Sequence, residues 1–137
     1  MNQLLSCEVR IGACHLDPEQ VSKIEKVLKE FLSLKQPFLR PGYTLRQMAD
    51  ELRIPLHHLS AFINQRHGMR FNDFINEYRV NHFKDMIINE EWRLKKLEAI
   101  AEESGFNNRN TFTAAFKKLT GQYPSEYIRN IRSNFPA

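Results

Sequence analysis

Cysteine is scarce in this sequence: Cys7 and Cys14 are the only two, both near the start. Two thiols so placed make neither a disulfide framework nor the paired spacing of structural zinc. His15 adjoins Cys14, but three loosely clustered donors fall short of a metal-ligand pattern, so reduced thiols with no metal and no cofactor are expected. Five glycines and six prolines among 137 residues leave little room for low-complexity linkers. Long apolar runs are missing: none approaches the roughly 20 residues that span a bilayer, and no charged start followed by an apolar run marks a signal peptide. A cytoplasmic chain without membrane contact is expected. No nucleophile has a base at sensible spacing, and glycine-rich phosphate loops and paired carboxylates are lacking, which argues against an enzyme.

What is present is ordinary in amount and informative in placement. Hydrophobic residues make up 42% and charged residues 26%, and the length suits one domain. The net charge of +4 is unevenly distributed. Residues 40–70 hold five Lys or Arg against two acids and residues 105–137 five against one, whereas residues 71–104 hold five against eight. Two positive blocks separated by an acidic connector suit two surfaces that meet a polyanion.

Along the chain, Leu5, Cys7, Val9, Ile11 and Ala13 alternate with less apolar residues, but no later stretch offers a partner strand. Residues 1–16 therefore read as a flexible leader or the stub of an upstream domain. Asp17-Pro18-Glu19-Gln20 supplies an N-cap, a first-turn proline and a capping-box glutamine. Val21, Ile24, Val27, Leu28, Phe31 and Leu32 follow at helical spacing, ending near Leu34. Thr44 and Gln47 form a second capping box, with Leu45, Met48, Ala49 and Leu52 on the buried side of a short helix. Pro55 opens the next helix, with Leu59, Phe62 and Ile63 inward and His57, Ser60, Ala61 and Asn64 outward, closed by Gly68. Phe71 to Asn89 reads as one long helix of about 28 Å at about 1.5 Å per residue. Leu94, Leu97, Ile100 and Ala101 start another, stopped by Ser104-Gly105. Asn107 or Asn108 caps the following helix, with Phe112, Ala115, Phe116 and Leu119 inward and Asn110, Thr113, Ala114 and Lys117 outward. Gly121 closes it, and Pro124 opens a last helix.

The chain repeats itself. Leu45, Met48 and Ala49 recur 52 residues later as Leu97, Ile100 and Ala101, and Leu59, Ile63 and Gly68 recur 53 residues later as Phe112, Phe116 and Gly121. The second turn should thus be one residue longer. A helix, a tight turn and a second helix, with a small alanine in the first, is the helix-turn-helix plan.

The second copy, Ile100-Ala101, Gly105-Phe106, Phe112, Phe116-Lys117-Lys118, Gly121, Pro124-Ser125 and Tyr127, resembles the signature of the AraC family of bacterial transcription regulators. The resemblance covers about Asp17 to Arg132. It implies an all-α fold of about seven helices: helix-turn-helix subdomains at about 44–68 and 94–121, joined by a linker helix at about 71–89, within a DNA-binding domain from 17 to 137. Arg53 stands where a turn glycine is usual, Phe83 where a small residue is, and Ile128 where an arginine commonly follows the tyrosine. Arg79 matches an arginine typical of the linker helix. The implied activity is sequence-specific binding of duplex DNA, with two recognition helices in successive major grooves. RNA polymerase and an upstream sensor or dimerisation domain are the further partners expected. The alternative is a helical protein-interaction module of the same fold whose DNA binding is weak or lost.

Side-chain chemistry nominates the base readers. Arg109 suits guanine, Asn110 adenine, the Thr113 methyl thymine, and Lys117 guanine or phosphate. His57, Ser60 and Asn64 of the first copy are shorter or neutral readers, so the downstream copy should dominate base reading. Family members often carry an arginine at the positions of Ala61 and Ala114, and neither alanine can donate. Phosphate contacts should fall to Arg46, Arg66, Arg70, Lys96, Asn108 and Lys118, with backbone N–H groups at helix starts.

Overall fold

The first two α-helices each open on a reciprocal capping box. In this computed structural model, which describes residues 15–89 and 96–134 and side chains as far as Ile131, α1 spans Pro18–Lys35. Asp17 accepts from the Gln20 backbone N–H at 2.8 Å, and the Gln20 side chain accepts from the Asp17 N–H at 3.0 Å. Thr44 and Gln47 repeat that reciprocal arrangement at the start of α2, Leu45–Leu52. These boxes satisfy donors that the first turn of a helix leaves without intrahelical partners. A 3-10 turn, Pro37–Leu39, lies between α1 and α2. Next come α3, Leu56–His67, and the long α4, Phe71–Ile88. They are followed by α5, Leu97–Glu103, α6, Arg109–Thr120, and α7, Pro124–Asn134. Among the described residues there is no strand, so the chain is all-α with seven α-helices, as expected. Leu5 to Ala13, both cysteines and Leu94 lie outside the described residues.

The chain divides into two compact units, and the division falls inside α4. One holds the residues up to Pro37 with Tyr43–Ile75, the other Phe38–Gly42 with the residues from Asn76 on. In the first, Ile24, Leu28 and Leu32 of α1 join Met48, Ala49, Leu59, Phe62 and Ile63 in burial. Leu16 belongs to this interior too, at 2% exposure, and the Gln65 side chain binds its backbone in both directions, at 3.0 and 3.2 Å. Val27 is a correction: 43% exposed, it faces outward. Six apolar positions within twelve residues exceed one face, and the i, i+4, i+8 row of Ile24, Leu28 and Leu32 takes the inside.

The second unit is built on aromatic packing. Phe83 of α4 is fully buried, with its ring 4.8 Å from Phe112 and 5.7 Å from Phe116, while Phe116 lies 5.4 Å from Tyr127. The bulky residue at position 83 is therefore a centre of this core. Ile128 is 5% exposed and joins the same cluster, so burial accommodates this apolar side chain after Tyr127.

Arg79, on the inward side of α4, is only 8% exposed. Its guanidinium donates to the Phe38 carbonyl at 2.7 Å, the Arg40 carbonyl at 3.1 Å and Asn76 Oδ1 at 3.3 Å. It also lies 5.9 Å from the centre of the Phe106 ring. Burial pulls its pKa below the usual arginine value, yet the carbonyls keep the cation solvated by protein. Arg79 thereby pins residues 38–42 to the second unit. Gly105 lies against the same loop at φ +102°, where an added Cβ would stand 2.1 Å from the Phe38 carbonyl oxygen.

Candidate nucleic-acid interface

The two copies share one plan and differ in its caps and turns. In the first, α2 ends on Arg53 at φ 58°, a left-handed conformation that costs a side-chain-bearing residue about 1–2 kcal/mol. The equivalent position in the second copy is Gly105. The N-cap of α3 is Pro55, which makes no side-chain hydrogen bond, whereas Asn108 caps α6 by accepting from the Thr111 N–H at 2.8 Å. Of the two asparagines considered for that cap, Asn108 serves.

On α6 the inward side is Phe112, Ala115 and Phe116, all buried. The opposite side leaves Arg109, Asn110, Ala114, Lys117 and Lys118 exposed and Thr113 half-buried. Arg109, Asn110, Thr113, Ala114, Lys117 and Tyr123 line one open depression. Arg109, its side chain 78% exposed, forms an ion pair with Glu98 of α5 at 3.6 Å. Lys117 is less free than its exposure suggests: its Nζ donates to the Gly121 carbonyl at 3.1 Å and lies 4.7 Å from the centre of the Tyr123 ring. The ammonium thus caps a carbonyl at the C-terminal end of its own helix, where the helix dipole favours positive charge.

The first copy offers less. His57 and Ser60 of α3 are half-buried and Asn64 is exposed, but Ala61 is 1% exposed. Ala61 was expected outward, at the position equivalent to Ala114, and the structure buries it instead. α3 packs against both α1 and α2, so its covered side is wider than one apolar stripe, and a methyl group carries no solvation demand that would keep it at the surface. The His57 and His58 rings meet edge to face at 4.5 Å. Burial, with a smaller contribution from His57, holds the His58 pKa below the ordinary histidine value.

The expected phosphate contacts are scattered over both units. Arg46, Arg66, Arg70, Lys96, Asn108 and Lys118 are all exposed. Arg66 is engaged by Glu25 of α1 through its Nε at 3.4 Å and Nη2 at 3.3 Å. That hydrogen bond, helped by Lys29, lowers the Glu25 pKa. Asn108 already uses its side chain as a cap, and Lys96 stands at the start of α5. Beside Lys96, between α5, α6 and the start of α7, lies a groove of about 480 Å³ floored by Phe106 and Phe112. Sequence reasoning overlooked two residues here, Glu98 and Tyr123. Glu98 could have been found from its acidity beside a basic helix; no periodicity marks Tyr123, which precedes α7 outside any helical register. Among the described residues no cluster of His, Cys, Asp or Glu could hold a metal ion.

The comparisons agree with this architecture. A family model described as a helix-turn-helix domain matches residues 48–130. An uncharacterized HTH-type transcriptional regulator of Escherichia coli (strain K12), YijO, is 29% identical over 90 residues, covering 66% of this chain and 31% of that protein. An uncharacterized transcriptional regulatory protein of Bacillus subtilis (strain 168), YesN, is 35% identical over 92 residues, covering 65% of this chain and 24% of that one. The chain thus spans less than a third of the length of these relatives. Among solved structures, the C-terminal domain of AraT, a response regulator from Geobacillus stearothermophilus, superposes with a TM-score of 0.63 at 25% identity, covering 85% of this chain and 88% of that one. A protein of unknown function from Listeria innocua gives the same TM-score at 28% identity, covering 77% and 94%. With more than half of its length matched by the family model and both helix-turn-helix copies in place, the chain belongs to the helix-turn-helix domain family, in its AraC-type form.

Proposed function

We propose that this chain binds duplex DNA sequence-specifically as part of a transcription regulator, each unit laying its recognition helix, α3 or α6, in a major groove. The observation that carries this reading is the two-sidedness of α6. One side buries Phe112, Ala115 and Phe116, and the other exposes Arg109, Asn110, Lys117 and Lys118 beside the half-buried Thr113. Arg109 and Asn110 are forked hydrogen-bonding groups suited to guanine and adenine edges, and Thr113 offers a methyl group to thymine. The starts of α3, α5 and α6, with Arg46, Arg70 and Lys96, are the phosphate contacts, since N-terminal N–H groups and cations both favour anions. α6 is the principal reader, because of the nominated readers on α3 only Asn64 is fully exposed, and Ala61 is buried. RNA polymerase and a sensing or dimerisation domain are the protein partners this role calls for.

Titration of the chain against random and promoter DNA at several salt concentrations tests the reading. Affinity should fall steeply with salt, log K declining in proportion to the number of phosphates neutralised. Salt-independent or absent binding would favour a protein-interaction role for the same fold. Arg109→Ala should weaken binding to a selected site by about 1–3 kcal/mol and relax preference at one base pair. An unchanged ranking of sites by that variant would remove Arg109 from the readers.

A further inference from the structure

Ala114 leaves a gap in the middle of the α6 surface where a donor would be useful, and an aromatic ring stands beside it. We propose that Tyr123 is a base-contacting residue of the second unit, supplying with Ala114 and Thr113 an apolar seat for the 5-methyl group of a thymine. The inference rests on the DNA-binding reading above.

Three observations lead to it. Tyr123 is 50% exposed, large for an aromatic side chain, and it lines the same depression as Arg109, Asn110, Thr113 and Ala114. Its position is fixed: its backbone N–H donates to Glu126 Oε1 at 2.8 Å, and its carbonyl accepts from the N–H groups of Glu126 and Tyr127 at 3.0 and 3.1 Å. Tyr123 is thus the residue on which α7 starts, and its Cα cannot drift without unwinding the first turn. Finally, Lys117 lies over the ring while bound to the Gly121 carbonyl, so the cation and the ring hold one another in place.

The chemistry left at this spot selects the ligand. Arg109 and Asn110 provide hydrogen bonds at the start of α6, and Lys117 and Lys118 stand one turn beyond Ala114, Lys117 with its ammonium drawn to the Gly121 carbonyl; the apolar surface that lines the depression between these polar ends comes from Ala114, Thr113 and the Tyr123 ring. In the major groove the one apolar feature among the base edges is the thymine methyl. A pinned ring beside an alanine recognises it at little entropic cost, because few rotors remain to be ordered.

The test uses the DNA site recovered by selection with the whole chain, each thymine replaced singly by deoxyuridine, which removes only the methyl. For the unsubstituted protein one replacement should weaken binding about four-fold, the value of one buried methyl group. Tyr123→Ala should bind the thymine site less tightly and lose the sensitivity to that replacement, whereas Tyr123→Phe should keep both affinity and sensitivity. Melting curves for both variants establish that the fold is retained, as expected for a half-exposed ring. Full methyl sensitivity in a folded Tyr123→Ala protein, or its loss in Tyr123→Phe, would overturn the assignment while leaving DNA binding intact. Failure of the unsubstituted chain to bind any DNA would instead overturn the underlying reading.

Discussion

At the scale of the residue, the exposed charges are more constrained than their exposure implies. Arg109 is held by Glu98, which on the proposed reading places a negative charge beside a DNA-facing residue. An ion pair this exposed contributes about 0.2–1 kcal/mol, less in salt, so breaking it costs little and the acid remains as a local repulsion. Glu98→Gln should therefore raise DNA affinity about two- to five-fold at low salt and less at high salt. Fluorescence anisotropy at two salt concentrations measures this; unchanged or weaker binding would show that Glu98 positions Arg109 instead of restraining it.

His58 gives a second prediction at this scale. Its pKa is depressed in the folded chain by burial, with a contribution from His57 4.5 Å away. The unfolded chain takes up a proton at His58 near the ordinary value of about 6.5, while the folded chain resists it. Stability from this residue is thus fully present above that value and is lost as pH falls through the lower, folded pKa. The melting temperature should drop between about pH 7 and pH 5, and His58→Gln should flatten that drop. Equal slopes for the two proteins would place the pH sensitivity elsewhere.

At the scale of the element, the turns distinguish the two copies. Gly105 combines φ +102° with a carbonyl 2.1 Å from where a Cβ would be. Neither strain nor clash can relax without moving the 38–42 loop that Arg79 grips. Gly105→Ala should cost about 3 kcal/mol or more from left-handed strain plus overpacking, read by denaturant unfolding. Arg53 occupies the corresponding place at φ 58°. Arg53→Gly should be neutral or stabilising there by up to about 1 kcal/mol, since the same backbone no longer carries a Cβ. A large loss in Arg53→Gly would mean that the arginine side chain itself holds the turn.

Much of this was legible in the sequence, and for physical reasons. Capping residues announce helix starts locally, so Asp17 and Thr44 could be read without tertiary knowledge, as could the glycines that close α3 and α6, and the cap of α6 narrowed to Asn107 or Asn108. The inward faces of α2, α3 and α6 followed from helical periodicity. Periodicity failed where a helix carries more apolar residues than one face holds, as at Val27, or where a residue is small enough to sit on either side, as at Ala61. Pairings between distant residues left no local trace: the Arg79 grip on Phe38 and Arg40, the Gln65 clamp on Leu16, and Arg66 held by Glu25. The α6 stripe was visible as a pattern, but its engagement by Glu98 and Tyr123 was not.

At the scale of the whole molecule, the proposed function turns on whether one chain reads DNA once or twice. Two basic blocks, each with its own helix-turn-helix, favour a two-part site, and α4 is shared by both units. On the proposed reading the second unit carries the stronger candidate readers, so its half-site should be the better defined in sequence. If both units engage, the half-sites must present their major grooves on one face, about one helical turn apart. Inserting about five base pairs between them rotates one half-site by roughly half a turn and should reduce affinity to that of the α6 half-site alone, while about ten should restore part of it. Arg109→Ala should then abolish most of the remaining binding to the five-base-pair insertion. Affinity indifferent to spacing would mean that α6 reads by itself and that the first unit, with Ala61 buried and His57 and Ser60 half-covered, serves the fold instead of the groove.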